Sequence, residues 1–424
     1  MVDHNRNIHI WEISRLYFPN FSGAAIQAHQ VFRKLVLQGF SVTVLTEGNL
    51  DSTSLRGQQT RRDGICIRYL RTLRHEKWES VDEARTFRKI LPYFKAQLAN
   101  LSFGILTAWT LWQEAKPNDI VRVDSPDPYS FLPVWVAKLK GMHPALDLTL
   151  LNHDDPMAIK DHWNKLLVVS GLEPFWRAEA ITGHSSAQIQ SCLSVGLDQR
   201  KVTQIRYAAD LRKFRQVNDR ERTIIRQKLG LKPDGHFIVF VGSAIARKGL
   251  DVLISAFQIV HSQFSDTELL IVGPYDFSDP AYKLASDLKD ELKATDISSC
   301  VHWIGRVDNV HDYMIASDIF CFPTRCEGLP IVVIEACAAG LPIVVSRLEG
   351  VTTDIIPSDR EGSLITGHNP DDYAEALMHF LRDPSMAKAK GNAARERVIN
   401  EFSLEHIVER YAQLYRELAG VKHA

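Results

Sequence analysis

Along this chain, short apolar runs alternate with longer stretches whose apolar residues return at helical spacing. The short runs fall at 8–13, 41–46, 119–124, 148–151, 180–183, 236–242, 268–272, 301–305, 318–322 and 342–346. Runs of this length, bounded by Gly, Pro or polar residues, predict strands buried on both faces of a sheet. Between them, Ile26, Val31, Leu35 and Val36 predict one helix, and Leu250, Leu253, Ile254 and Phe257 another. Strand, loop, helix and strand in that order make a right-handed βαβ unit of an open parallel sheet. Such sheets bind ligands beyond the carboxyl ends of their strands. The last stripe, Ile407, Val408, Tyr411, Leu414, Tyr415 and Leu418, predicts an amphipathic closing helix behind Ser403 as N-cap. At 424 residues, this α/β pattern calls for two domains.

One stretch concentrates chemistry. After the apolar run at 319–322 and Pro323, the chain reads Cys326-Glu327-Gly328-Leu329-Pro330-Ile331-Val332-Val333-Ile334-Glu335. A polar loop carrying Glu327 leads into a helix expected to start near Pro330 or Ile331 and to end at Gly340, with Pro342 beyond. The free amides of such a helix start form an anion site, typically for phosphate. Glu327 would repel phosphate, so it is expected to point past it at neutral hydroxyls, while Glu335 reaches a second hydroxyl-rich group. Two carboxylates flanking an anion cradle suit a sugar–diphosphate–nucleoside, one for the sugar and one for the ribose. On spacing alone, two solvated glutamates on an ordinary crossover fit as well. A second cradle is Gly242-Ser243-Ala244-Ile245-Ala246-Arg247-Lys248-Gly249, again strand, glycine-flanked loop and helix start. There Lys248 supplies a point charge and Arg247 a second. In the first half, the loop at 17–25 follows the first strand. His153 follows the run at 148–151, on the ligand edge of the sheet.

Glu327 and Glu335, followed by Ala336-Cys337-Ala338-Ala339-Gly340-Leu341-Pro342, resemble the donor-site motif of the retaining GT-B glycosyltransferases of family 4, the glycosyl transferases group 1. Further matches run through nearly the whole chain, including Ser185 at a strand end and Asp210 ahead of Phe214. The resemblance implies a GT-B fold, with two Rossmann-like domains facing across a cleft. Residues 1–215 would form the acceptor side and 216–402 would hold the donor, with 403–424 crossing back to the first domain and 212–226 as the hinge. It implies transfer of a hexose from a nucleoside-diphosphate sugar to a hydroxyl of a saccharide or lipid-linked acceptor, in polysaccharide or glycolipid assembly. UDP-glucose-like donors are the default, and GDP donors stay open. Glu327, His153 and Lys248 would be catalytic. Gly23, Ser243, Arg247, Lys248, Arg306 and Val307 would meet the donor, as would Glu327, Gly328, Leu329, Pro330, Ile331 and Glu335. The chain departs from the family pattern where Ser22-Gly23 replaces Gly-Gly, where Ser243 replaces an arginine, and around Glu349-Gly350 and Asp354.

Composition narrows the field. The 50 basic and 51 acidic residues balance, which disfavours a nucleic-acid partner. Six scattered cysteines without a Cys-x-x-Cys indicate neither a zinc knot nor a disulfide framework, and suit reduced packing cysteines in the cytoplasm. Residues 1–6 are polar and lack a signal core. The longest uncharged stretch, 96–113, is short of a membrane span and reads as a core or interfacial helix. Basic residues from Arg61 to Lys95, interleaved with Trp78, Phe87, Tyr93 and Phe94, would let the protein associate peripherally with the inner face of a membrane, as in the family. No Asp-x-Asp occurs, so no essential metal or cofactor is expected. Two other readings share the fold. One is a silent donor-binding protein, suggested by Ser243; the other is a different GT-B enzyme, such as a nucleotide-sugar epimerase or a phosphorylase. A nicotinamide oxidoreductase would need a Gly-x-Gly-x-x-Gly after a strand, and none is present.

Overall fold

The computed structural model describes residues 8–17, 23–47, 57–73, 90–127, 129–162, 165–275 and 282–421. The chain divides into two compact units, residues 1–206 with 405–424, and residues 207–404. Each is built on one sheet.

The first sheet holds β1 (His9–Ile13), β2 (Ser41–Glu47), β3 (Gln59–Arg62), β4 (Ile65–Leu70), β5 (Ile120–Asp124), β6 (His143–Asp147), β7 (Ala180–Gly183) and β8 (Val202–Gln204). Their spatial order is β3-β4-β2-β1-β5-β6-β7-β8. All pairs are parallel except the β3–β4 hairpin. The second sheet holds β9 (His236–Val241), β10 (Thr267–Val272), β11 (Val301–Gly305), β12 (Ile319–Phe322), β13 (Ile343–Ser346) and β14 (Ser363–Ile365), in the order β11-β10-β9-β12-β13-β14 and parallel throughout. In both sheets the strand order reverses beside the first strand, between β1 and β5 and between β9 and β12. A reversal opens a crevice outside the carboxyl ends of the two strands, where open α/β sheets hold ligands.

The patterning explains these sheets. Strand β9 is Phe-Ile-Val-Phe-Val after His236, and all five of those residues are buried; β10 is buried at every position. In the first unit, Phe103, Val134 and Phe175 come from the helices Ile90–Glu114, Phe131–Leu139 and Lys165–Arg177. They pack on Trp11, Val121, Leu146 and Ile181 of the sheet in one core. The closing helix, Leu404–Leu418, belongs to this unit from Glu405 onward.

Charge also lies inside the first sheet. Arg122 on β5 donates to Glu12 on β1 at 2.5 Å and pairs with Asp147 on β6 at 2.5 Å. His184 Nε2 lies 3.1 Å from Asp147, and Tyr411 of the closing helix donates to the same carboxylate at 3.1 Å. All but Tyr411 are charged or titratable groups buried within or at the ends of strands. Two carboxylates compete for one guanidinium, and Asp147 wins. Arg122 and His184 hold it down to about 2 against the effect of burial, while burial pushes Glu12 up to about 8.

One expectation is corrected. The run at 148–151 is loop; the strand is the preceding His143–Asp147, so His153 lies six residues beyond its end. Within 212–226, Asn218 caps the helix Asp219–Lys228, whose Arg226 makes two bonds of 2.9 Å to Asp318. The region 51–117 contains β3, β4 and the helix Ile90–Glu114. Its basic and aromatic residues at 74–89, and Ser22 in the first loop, lie outside the described residues. Among the described residues no helix is long and apolar enough to cross a membrane, and no group of His, Cys, Asp or Glu is placed to hold a metal.

Candidate functional site

The crevice at the β9–β12 reversal is lined by the two loops in which the sequence concentrates chemistry. Strand β9 stops at Gly242, and a single 3-10 turn, Ala246–Lys248, leads through Gly249 to the helix Leu250–Gln263. Gly249 has φ 72°, and a Cβ there would stand 1.8 Å from Pro323 O. Only glycine lets the first loop close on the second. Strand β12 stops at Pro323, and the helix Ile331–Ala338 begins after Pro330 in extended conformation.

The loops are sewn together by backbone and side chain. Arg325 N donates to Arg247 O at 2.8 Å, and Arg325 forks onto Asp251 at 2.8 and 2.6 Å. Arg247 Nη1 donates to Cys326 O at 2.6 Å. At the centre, three donors converge on one oxygen of Glu327. Lys248 Nζ lies at 2.5 Å, Thr324 Oγ1 at 2.9 Å and Arg247 Nη1 at 3.2 Å from Oε1. Lys248 also lies 5.2 Å over the Phe322 ring. Burial lowers the Lys248 pKa, and the Glu327 charge pulls the other way. The expectation that Glu327 points past the phosphate cradle therefore changes. Its Oε1 is tied to both cations of the cradle.

The helix start completes the cradle. Its first amides with a backbone acceptor are Val333 and Ile334, both on Pro330 O, so those of Ile331 and Val332 stand ahead of the bonded turn. Gly328, Leu329 and Pro330 are buried beneath it, and Ser243 is half-buried in the first loop. Glu335 lies one turn into the helix, half-buried. Burial pushes its carboxyl up to about 8, with Lys213 opposing.

The remaining residues lie elsewhere. Arg306, exposed, and Val307, half-buried, follow edge strand β11, two strands from β9. Gly23 opens the helix Gly23–Leu37, and His153 is exposed in the turns after β6; both belong to the first unit. Asp154 and Asp155, beside His153, are buried and spent on local bonds. Asp154 accepts from Thr149 and Ser125, and Asp155 from the amides of Asn152 and Ala158. Sequence reasoning missed Thr324, which is fully buried and fixes Glu327, and His368, whose Nε2 lies 3.2 Å from Thr324 O. The Pro-Thr-Arg run directly after a strand was the available signal for the first; nothing local marked the second.

The comparisons fit this geometry. Residues 221–397 match the model for glycosyl transferases group 1. An uncharacterized glycosyltransferase of Haemophilus influenzae is 29% identical over 189 residues, 45% of this chain and 51% of that one. A GDP-mannose-dependent phosphatidylinositol monomannoside mannosyltransferase of Corynebacterium glutamicum is 30% identical over 214 residues, 48% of this chain and 53% of the relative. The chain thus spans about half the length of the curated relatives it matches. Among solved structures, the sucrose-phosphate synthase of Thermosynechococcus elongatus superposes with TM-score 0.76 at 20% identity, covering 98% of this chain and 100% of that one. HepE of Anabaena, in complex with UDP and glucose, gives TM-score 0.73 at 14% identity over 96% of this chain and 98% of its own. Residues 221–397 thus resemble the glycosyl transferases group 1, and the chain as a whole has the GT-B fold.

Proposed function

We propose that the protein is a retaining glycosyltransferase. It moves a hexose from a nucleoside-diphosphate sugar, UDP-glucose-like in the first instance, to a hydroxyl of a saccharide or lipid-linked acceptor. The observation that carries this reading is the convergence of Lys248 and Arg247 on Glu327 at the β9–β12 reversal, beneath the start of the helix Ile331–Ala338. The hard step is departure of the diphosphate, with negative charge growing on the phosphate as the sugar turns oxocarbenium-like. Preorganised cations and amides there supply rate. Lys248, Arg247 and the amides of Ile331 and Val332 take that role. Arg247 replaces the arginine that the family carries where this chain has Ser243. With these cations in place the reaction needs no metal. Glu327 positions the sugar hydroxyls, and Glu335 meets the ribose. The acceptor oxygen attacks from the face the diphosphate leaves, and a phosphate oxygen takes its proton. The base stays open between uracil and guanine, since the relatives include a GDP-mannose enzyme and the structural neighbours a UDP complex.

The test is incubation of the full chain with UDP- and GDP-sugars in chelator, following release of free sugar by proton NMR. Slow hydrolysis of one donor, with the α-anomer appearing first, supports the reading. Donor binding with no hydrolysis and no transfer favours the silent protein, and an epimer or a sugar phosphate as product favours the other GT-B enzymes.

A further inference from the structure

The first sheet has a crevice of its own at the β1–β5 reversal, and the chemistry proposed above leaves it unused. A cavity of about 280 Å³ lies there, wholly within the first unit. Ile13 and Val123, the last apolar residues of β1 and β5, form one wall, and Phe103 of the helix Ile90–Glu114 forms another. At about 30 Å³ for each water, the space equals roughly nine waters and has room for one six-membered ring with its hydroxyls.

The polar groups on its walls divide into spent and open ones. Arg15 is spent. Its guanidinium donates to Glu47 at 3.0 Å, to Asp127 at 3.1 and 2.7 Å and to Asn100 O at 3.2 Å, and it lies 4.9 Å over the Phe103 ring. Those bonds use four of the five N–H groups of a guanidinium. Asp127 also holds the following turn, accepting from Tyr129 N and Ser130 Oγ, and Tyr129 donates its hydroxyl to Gln97 at 3.1 Å. Asp124, the last residue of β5, is the open group. Its Oδ2 accepts from Ser14 at 2.8 Å, while Oδ1 takes no hydrogen bond from the described residues. Burial pushes this carboxyl up to about 6, with Arg122 opposing, so it is charged at neutral pH. Ser125 follows at φ 51°, a conformation that residues with a side chain rarely adopt, and its hydroxyl donates to Asp154 at 2.7 Å. Backbone strain of this kind gathers at ligand sites.

We propose that this cavity binds an uncharged sugar ring, with hydroxyls on Asp124 and an apolar face on Ile13 and Val123; on the glycosyltransferase reading above, that sugar belongs to the acceptor. Charged alternatives meet their own sign. A phosphate finds no open cation and faces the Asp124 carboxylate, whereas an ammonium faces the Arg15 guanidinium on the wall and Arg122 behind Asp124. A neutral hydroxyl donates to the carboxylate without either cost, and hydrogen bonds to a charged acceptor are the strong ones. The family resemblance places the acceptor no more finely than residues 1–215; the cavity adds the ring, its lack of charge and the residue that holds it.

The test is saturation-transfer NMR of the full chain with the methyl glycosides of glucose, galactose and mannose, and with glucosamine and glucose 6-phosphate. The expected result is binding of a methyl glycoside, with the amine and the phosphate roughly tenfold weaker or more. Asp124→Asn, which replaces the charged acceptor by a neutral amide, weakens the glycoside about tenfold. Asp127→Asn releases Arg15 and narrows the gap between glycoside and phosphate, a change of selectivity that loosening of the fold would not give. Circular-dichroism melting shows whether each variant folds, and the selectivity of the parent needs no variant. The proposal is overturned if no methyl glycoside binds, if the phosphate or the amine binds as tightly, or if folded Asp124→Asn binds like the parent. None of these measurements uses a donor, so they stand apart from the glycosyltransferase reading, whose failure is a chain that hydrolyses no donor. When the hydrolysed donor is added, the bound glycoside is expected to be glycosylated; steady hydrolysis with no transfer to it would overturn the acceptor assignment.

Discussion

The two sheets of this protein handle charge in opposite ways. In the first, Arg122 bridges Glu12 and Asp147 on the adjacent strands and neutralises Asp147, with His184 and Tyr411 closing the group. In the second, the strands beside the reversal are apolar along their length, and charge waits at their carboxyl ends on Lys248, Arg247 and Glu327. Charges buried within strands have no route to a ligand, so they fix register and hold the closing helix. Charges on loops at a strand reversal meet open amides and can exchange one partner for another. The lesson is that a buried ion group reads as structural or functional according to where on the sheet it sits.

Removing the cation of the first group tests the structural side with the largest effect. Arg122→Met leaves the buried, ionised Asp147 without its guanidinium and should cost about 3–5 kcal/mol in urea unfolding. Nucleotide affinity of the remaining folded fraction should be unchanged, and a parallel loss of affinity would break the comparison. Next comes Glu327→Gln. It should cut turnover about a hundredfold, the range for one transition-state contact, while nucleoside-diphosphate affinity stays level or rises because two cations are released. Equal loss of both would sink the positioning role of Glu327. The smallest effect concerns Glu335. Burial raises its carboxyl from 4.5 to about 8, so the folded state favours the protonated form. The stability this contributes is complete below 4.5 and is lost as pH rises towards 8. Glu335→Gln should therefore melt a few degrees above the parent near pH 8 and equal it below 4.5. A constant difference across that window would show that the side chain matters through packing alone.

Much of the second unit was legible because its signals are redundant. Buried runs, Pro323, Gly249 and Gly340 mark the ends of elements by chemistry that allows few alternatives. The first unit was harder. Strand β6 reads His-Pro-Ala-Leu-Asp, and a proline and two titratable ends argue against a central strand. The apolar Leu148–Leu151 beside it drew the expectation away. What makes Asp147 a strand residue is Arg122, which no local window contains. The β3–β4 hairpin was passed over although Asp63-Gly64 is a hairpin turn signal, with φ of 50° and 82°. Within the site, the residue types and spacing were legible. The pairing of Glu327 with Lys248 was not, because the two are 79 positions apart.

The most direct test of the central claim is calorimetric titration of UDP and GDP, in chelator, into the parent and into Lys248→Ala. The account predicts that one of the two nucleotides binds the parent without metal, and that Lys248→Ala weakens it about a hundredfold, as expected for losing a buried charge-assisted contact to phosphate. The melting temperature of the nucleotide-free variant should stay close to that of the parent. Equal affinity in parent and variant, or strict dependence on a divalent ion, would contradict the account and return Lys248 and Glu327 to the class of structural ion pairs.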